Sequence, residues 1–133
     1  INSEMPEHVC ALVVNALNDQ CKSVKGSRVL VLGLSYKKDI EDVRESPALD
    51  ILNLLEARGA SVSYSDPFVP EISLQGIIRR SQGLLPAVEA ADVVVIVTDH
   101  SGLPYDQVVE RAKAVVDTRN ATRGIASPKV VKL

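Results

Sequence analysis

VLVLGLSYKKDIEDVRESPALDIL, residues 29–52, is the stretch that decides the fold. Four apolar residues run into Gly33, and Ser46–Pro47 then opens a pattern of apolar residues at helical spacing. A continuous apolar run is typical of a strand that is buried on both faces, as in a parallel sheet. Serine is a good N-cap and proline a good first helical residue. The stretch therefore predicts a buried strand, a long charged loop and a helix.

The same alternation of strand and helix continues along the chain. Apolar runs at 93–97 and 114–116 predict two more buried strands, and the alternating SVSYS at 61–65 is typical of a strand nearer an edge. Further patterns predict helices at 5–22, 86–91 and 104–113 and a last strand at 129–133. Strands that alternate with helices form right-handed βαβ units, so we expect an α/β fold with a Rossmann-like, doubly wound, mainly parallel sheet flanked by helices. Residues 67–85 give no clear element.

Composition excludes several classes of protein. The chain has 133 residues, of which 46% are hydrophobic and 24% charged, which is typical of one globular domain with a sizeable core. Its formal net charge of -2 argues against general nucleic-acid binding, and no apolar run approaches the roughly 20 residues that span a membrane. Cys10 and Cys21 lie eleven apart in one predicted helix, about 16 Å of rise, too far for a disulfide. Free thiols without a visible secretion signal predict a cytoplasmic protein. The start at Ile1 suggests a fragment or a processed product.

Two cations follow two different predicted strands. Ligands of open parallel sheets bind beyond the carboxyl ends of the strands, where Lys37 and Arg119 are expected to meet. Arginine offers a planar fork and lysine a compact charge, so the pair predicts an anionic ligand. The alternative is that Arg119 pairs with Asp99 or Asp117 and only ties loops together. Lys38 is expected to be solvated.

The charged loop lacks the usual dinucleotide fingerprint. GLSYKK has one glycine where G-x-G-x-x-G needs three. If a pyrophosphate binds here, lysine side chains and not the backbone would have to contact it. The four acids within residues 39–45 precede a helix N-terminus, where negative charge is favoured, and some are expected to pair with Arg44. Their spacing indicates no metal site. His100, in TDH, could be a general base, but a loop histidine that caps the next turn is the favoured interpretation. No nucleophile stands in a recognisable elbow, and no catalytic residue is predicted.

GLSYKKDIEDVRESPALDILNLLEARGASVSYSDPFVP, together with VVVIVTDH and VVDTRNA, resembles the C-terminal UDP-sugar-binding domain of the UDP-glucose/GDP-mannose dehydrogenase family. The branch that it resembles acts on UDP-N-acetylglucosamine or UDP-N-acetylmannosamine. The resemblance implies a parent enzyme that uses NAD to oxidise the C6 hydroxyl of the sugar to a carboxylate, for polysaccharide precursors. It also implies an N-terminal NAD-binding domain and a central domain that makes a homodimer and carries a cysteine nucleophile.

For this chain, the resemblance implies that residues 1–25 are the end of an inter-domain helix and a linker, and that residues 26–133 are the UDP-sugar-binding domain. The implied substrate-binding residues are Tyr36 and Lys37 at the nucleotide or sugar, Arg119 near the diphosphate or sugar, and Ser35 and Asn120 beside them.

The glycine fingerprint and the family's GGHC cysteine context are both absent from the chain. It is therefore expected to bind no NAD and to be inactive by itself. Two alternatives remain. One is a stand-alone, receiver-like or regulatory nucleotide-binding module, although VLVLGLS lacks the acidic cluster of a receiver. The other is a pure interaction domain whose cations are solvated.

Overall fold

The computed structural model describes residues 4–44 and 46–133. Within them the helices are α1 Met5–Asn18, α2 Pro47–Ala57, α3 Leu84–Ala90 and α4 Tyr105–Arg111. The strands are β1 Arg28–Leu32, β2 Ser61–Ser65, β3 Glu71–Leu74, β4 Ile77–Arg80, β5 Val93–Ile96, β6 Val115–Asp117 and β7 Val130–Lys132. None of the helices in this described part of the chain is long and apolar enough to cross a membrane.

Five strands form one parallel sheet in the order β2-β1-β5-β6-β7. The predicted doubly wound α/β fold is confirmed, and β2 lies at an edge as its alternating sequence indicates. After β2, the chain crosses back over β1 to reach β5, so the strand order changes direction between β1 and β5. In such sheets the loops that leave the two strands separate to opposite faces and open a crevice between them.

Two hydrophobic layers cover the two faces of the sheet, and they explain the unbroken apolar strands. Val29 and Val31 of β1 pack in the layer that contains α1 and α2. Leu30 and Leu32 pack in the layer that contains α3 and α4. Because each successive side chain enters a different core, every position of the strand after Arg28 is apolar and buried.

The helix at the start of the chain belongs to the first of these layers. Val9, Val13 and Leu17 of α1 are fully buried with residues of α2 and of the sheet. The apolar stripe of α1 is therefore covered within this chain. The proposed division between residues 25 and 26 stays a prediction.

One local prediction needs correction, and one segment that gave no clear element can be assigned. The first helix was predicted to run to residue 22 but ends at Asn18, and Cys21 follows it with a φ of 59°, which the helix cannot accommodate. Residues 67–85 contain an antiparallel hairpin of β3 and β4 that is separate from the main sheet. Gln75 and Gly76 form its turn with φ of 54° and 79°, the positive values that two-residue hairpin turns require.

The turn after β1 requires a glycine. Gly33 has a φ of 89°, and a Cβ at this position would lie 2.5 Å from the carbonyl oxygen of Thr98. The chain can therefore leave β1 in close contact with the end of β5. Thirteen residues later, the Ser46 side chain accepts a hydrogen bond from the Ala48 N–H at 3.2 Å and caps α2, as predicted.

Candidate functional site

An open groove lies beyond the carboxyl ends of the parallel strands and has a volume of about 710 Å³. Its lining consists of Lys37, Lys38, Asp99, Asp117, Thr118, Arg119, Asn120, Lys132 and Leu133. Four of these side chains are cationic and two are acidic. They come from the loops after β1, β5 and β6 and from the end of β7. The groove therefore carries an excess of positive charge and suits an anionic ligand.

The cations that were predicted to meet do so in this groove. Lys37 is exposed, and its ammonium lies 5.8 Å from the centroid of the Tyr36 ring, within reach of a cation–π contact. The Arg119 Nε lies 3.9 Å from the Asp99 carboxylate, which is too long for a hydrogen bond. The alternative interpretation of Arg119 as a loop tie thus has only a loose ion pair to support it. Lys38 is exposed, as predicted, but it also lines the groove.

Asp117 fixes the backbone that presents Arg119. One of its carboxylate oxygens accepts hydrogen bonds from the N–H groups of Arg119 and Ala121, at 3.0 and 3.1 Å. The other accepts from the N–H and the hydroxyl of Thr122, at 2.8 and 2.6 Å. Burial raises the pKa of Asp117, but these four hydrogen bonds outweigh it and bring the pKa below its usual value. Asp117 is therefore an ionised anchor for the loop after β6.

Lys132 also lines the groove and was not predicted from the sequence. Its ammonium donates a hydrogen bond to the side-chain oxygen of Asn120 at 2.8 Å, and both residues line the groove. The signal was available: the predicted strand at 129–133, once paired in parallel beside β6, brings its carboxyl end to the same edge.

The five predicted binding residues thus occupy different places. Lys37, Arg119 and Asn120 line the groove, and Tyr36 lies next to it with its side chain partly exposed. Ser35 does not line the groove because it is fully buried. Its hydroxyl donates to the carbonyl of Lys37 at 2.8 Å, so it supports the loop from behind. The roles of all five in binding stay predictions.

His100 is buried and is not arranged as a general base. Its Nδ1 accepts the Asp39 N–H at 2.7 Å, and its Nε2 lies 2.9 Å from a carboxylate oxygen of Asp66 and 3.2 Å from the Ser35 hydroxyl. In a catalytic triad the serine and the aspartate contact opposite ring nitrogens, whereas here both lie beside Nε2. We expected the ring to cap the turn that follows it, but both ring nitrogens have other partners. Instead it joins the loops after β1, β2 and β5.

Two acids of the charged loop, Asp39 and Asp42, have structural partners. The Asp39 carboxylate accepts hydrogen bonds from the hydroxyl and N–H of Ser101, both at 2.7 Å, and these bonds lower its pKa. Asp42 forms a two-point pair with Arg44, as expected, which lowers the pKa of Asp42 to about 2. Glu45 lies outside the described residues. The described ranges contain no group of three or more His, Cys, Asp or Glu side chains that could hold a metal ion.

Fold and groove together define a doubly wound α/β domain with a cationic site at the carboxyl edge of its sheet. Residues 30–124 match the UDP binding domain of the UDP-glucose/GDP-mannose dehydrogenase family. The chain therefore belongs to this family, and the resemblance seen in the sequence is confirmed. A stand-alone receiver-like or regulatory module is not favoured.

Individual relatives agree with this assignment. The chain is 29% identical over 130 residues to a UDP-N-acetyl-D-mannosamine dehydrogenase of Methanococcus maripaludis, matching 90% of this chain and 28% of the relative. It is 34% identical over 116 residues to the UDP-glucose 6-dehydrogenase TuaD of Bacillus subtilis, matching 81% of this chain and 25% of the relative. The chain thus spans little more than a quarter of these relatives.

Solved structures give the same answer. The UDP-D-ManNAc dehydrogenase of Pyrococcus horikoshii superposes with a TM-score of 0.81 at 27% identity, over 98% of this chain and 31% of that one. An NDP-N-acetyl-D-galactosaminuronic acid dehydrogenase of Methanosarcina mazei superposes with a TM-score of 0.80 at 30% identity, over 99% and 29% of the two chains.

Proposed function

We propose that the groove binds the diphosphate of a UDP-sugar. The observation that carries the proposal is the arrival of four cations, Lys37, Lys38, Arg119 and Lys132, from three separate segments at one edge of the sheet. The guanidinium of Arg119 can donate two parallel hydrogen bonds to phosphate oxygens, whereas the lysines act as compact charges. Because the groove is open to solvent, each contact is screened and the site alone is expected to be weak.

We also propose that the whole protein is an NAD-dependent UDP-N-acetyl-hexosamine 6-dehydrogenase and that it is a homodimer. Several relatives are named UDP-N-acetyl-D-mannosamine dehydrogenases, and these names support this choice of substrate. NAD would supply the hydride acceptor and would bind to another part of the protein. In this chain β1 ends at Leu32 and α2 begins at Pro47, and Gly33 serves the close approach to Thr98. Within the described residues, no tight glycine turn therefore leads a pyrophosphate onto α2.

The role proposed for this chain is orientation. Fixing the diphosphate removes the translational and rotational freedom of the substrate and holds the sugar C6 for reaction with groups on the rest of the protein. The chain alone is then expected to bind UDP but to form no NADH from a UDP-N-acetyl hexosamine. Formation of NADH by the purified chain would contradict this division of labour.

Calorimetric titration of UDP into the chain tests the binding proposal. We expect a Kd on the order of 1 mM, about -4 kcal/mol, because the remainder of the pocket is absent. Uridine, which has no phosphate, should bind far more weakly. Absence of binding at UDP concentrations well above this Kd would reject the proposal.

Matched substitutions locate the site. Arg119→Lys keeps the charge but loses the fork, and Lys37→Ala removes one cation, so each should weaken UDP binding severalfold. Lys113→Ala removes the same charge at the opposite edge of the sheet, just before β6, where Lys113 lies 3.6 Å from Asp92. This control should bind UDP as the wild type does. Equal losses in all three variants would indicate a general effect of net charge rather than a site.

A further inference from the structure

We propose that His100 is a positioning residue that holds the loop of residues 35–39 so that Lys37 and Lys38 face the groove. This inference rests on the proposed binding of UDP. His100 is fully buried and its side chain does not line the groove, so it would act only through the loop. The lysine side chains are exposed, and their direction is therefore set by the backbone that carries them.

The first contact between His100 and the loop fixes the end of the loop, at Asp39. The Asp39 N–H donates to Nδ1 of His100 at 2.7 Å, and Asp39 has a φ of 62°. Aspartate tolerates this left-handed region better than most residues other than glycine, at a small cost that its contacts must offset. The hydrogen bond to the buried ring is one such contact. Since Nδ1 accepts, the ring proton lies on Nε2 and donates to Asp66.

A second set of contacts fixes the start of the loop and depends on the same two side chains, His100 and Asp66. The carboxylate oxygen of Asp66 that accepts from His100 also accepts the N–H groups of Leu34 and Ser35, at 2.6 and 3.1 Å. Ser35 in turn donates its hydroxyl to the Lys37 carbonyl. The two lysines thus lie between two residues that are both fixed on one buried histidine–aspartate pair.

A third contact joins the loops on the exposed side. The Asp39 carboxylate accepts two hydrogen bonds from Ser101, the residue that follows His100. The loop after β1 is therefore tied to two consecutive residues of the loop after β5, at the point where the strand order of the sheet changes direction. Loss of the contact of Asp39 with either residue should therefore change the loop more than it changes the core.

Two substitutions separate the functions of the two ring nitrogens. An asparagine carboxamide reaches only the position of Nδ1, and a glutamine carboxamide reaches the position of Nε2. His100→Asn should therefore retain an acceptor for the Asp39 N–H, whereas His100→Gln should retain a donor for Asp66 and lose that acceptor. The proposal expects the glutamine variant, and not the asparagine variant, to release the loop.

Hydrogen exchange of the Asp39 amide, followed by NMR, measures the hold without any ligand. We expect exchange at least tenfold faster in His100→Gln and little changed in His100→Asn. UDP affinity should follow, falling about tenfold in the glutamine variant and less than threefold in the asparagine variant, because affinity scales with the fraction of the loop that is binding-competent. If both variants lose the same stability in urea but do not differ in Asp39 exchange or UDP affinity, His100 is merely a packing residue.

Ser101→Ala provides a second route that leaves the core intact. Ser101 is exposed, and its substitution removes one tie to Asp39, so Asp39 exchange and the Kd for UDP should each rise about threefold. Ser23→Ala, an exposed serine that loses its hydroxyl hydrogen bond to Lys25, should change neither. Wild-type exchange at Asp39 in both His100→Gln and Ser101→Ala would overturn the inference. If the wild type binds no UDP, the proposed function fails, and the exchange data alone decide whether His100 holds the loop.

Discussion

Replacing Asp117 with asparagine should destabilise the protein by about 3 kcal/mol, because hydrogen bonds to buried charged groups contribute roughly 1.5–3 kcal/mol each. The wild-type carboxylate accepts four hydrogen bonds, from the N–H groups of Arg119 and Ala121 and from the N–H and hydroxyl of Thr122. An asparagine offers one acceptor oxygen and one donor group in the same place. The less costly orientation turns the amide nitrogen toward Thr122, whose hydroxyl can rotate and accept. The Thr122 N–H then remains buried without a partner, and the other bonds lose the charge of their acceptor.

Urea unfolding at pH 7 measures this loss as a fall in the free energy of unfolding. Asp99→Asn is the matched control, since Asp99 lines the same groove but its ion pair with Arg119 is a loose contact of 3.9 Å. It should change stability by less than about 0.5 kcal/mol. If Asp117→Asn also stays within that range at an unchanged m-value, the four hydrogen bonds do not anchor the loop and the reasoning fails.

The same pair of proteins gives a pH test with a definite sign. The folded-state pKa of Asp117 is lowered, so its stabilising contribution is fully present above its unfolded pKa of about 3.9. That contribution is lost as the pH falls through the lower, folded pKa. The difference in stability between wild type and Asp117→Asn should therefore be largest near neutral pH and shrink in acid. A gap that widens below pH 4 would contradict this assignment.

Two further stability predictions concern the framework. Gly33→Ala should cost about 3 kcal/mol in urea unfolding, against about 1 kcal/mol for Gly102→Ala. Both glycines have positive φ, but only at Gly33 would the new Cβ meet the backbone of Thr98, so equal costs would disprove the close-approach argument. Glu56 and Arg79 form a two-point ion pair, both bonds 2.7 Å long, that ties the hairpin to α2. A double-mutant cycle to alanine should give a coupling of about 1 kcal/mol, and a coupling near zero would mean that the hairpin is held by other contacts.

The sequence predicts most of this fold because its strongest signals have simple physical causes. β1 and β5 enter two hydrophobic layers at once, and their unbroken apolar runs follow directly from that placement. The hairpin of β3 and β4 was missed because neither strand joins the main sheet, so its residues show only a partial burial pattern. The end of α1 was misplaced because polar residues continue the helical pattern past Asn18, where the backbone turns away.

The site was predictable at the level of strand ends but not of side-chain direction. The rule that ligands meet the carboxyl ends of parallel strands brings Lys37 and Arg119 together correctly. It does not say which of several consecutive loop residues faces inward. Ser35 faces the core and Lys37 the solvent because of local backbone angles that depend on distant partners, His100 and Asp66 among them. The position of Lys132 in the groove could be predicted only from the pairing of β7 beside β6.

The charge of the loop after β1 serves two separate purposes, and this separation bears on affinity. Asp39 and Asp42 are engaged within the chain, by Ser101 and Arg44, while the side chains of Lys37 and Lys38 project toward the groove. The bonds that order the loop therefore exist without any ligand, and binding need not meet the entropic cost of ordering it. Weak binding of UDP by this chain would then reflect the absence of contacts that the rest of the protein supplies. The loop itself should bind in the conformation that it already has.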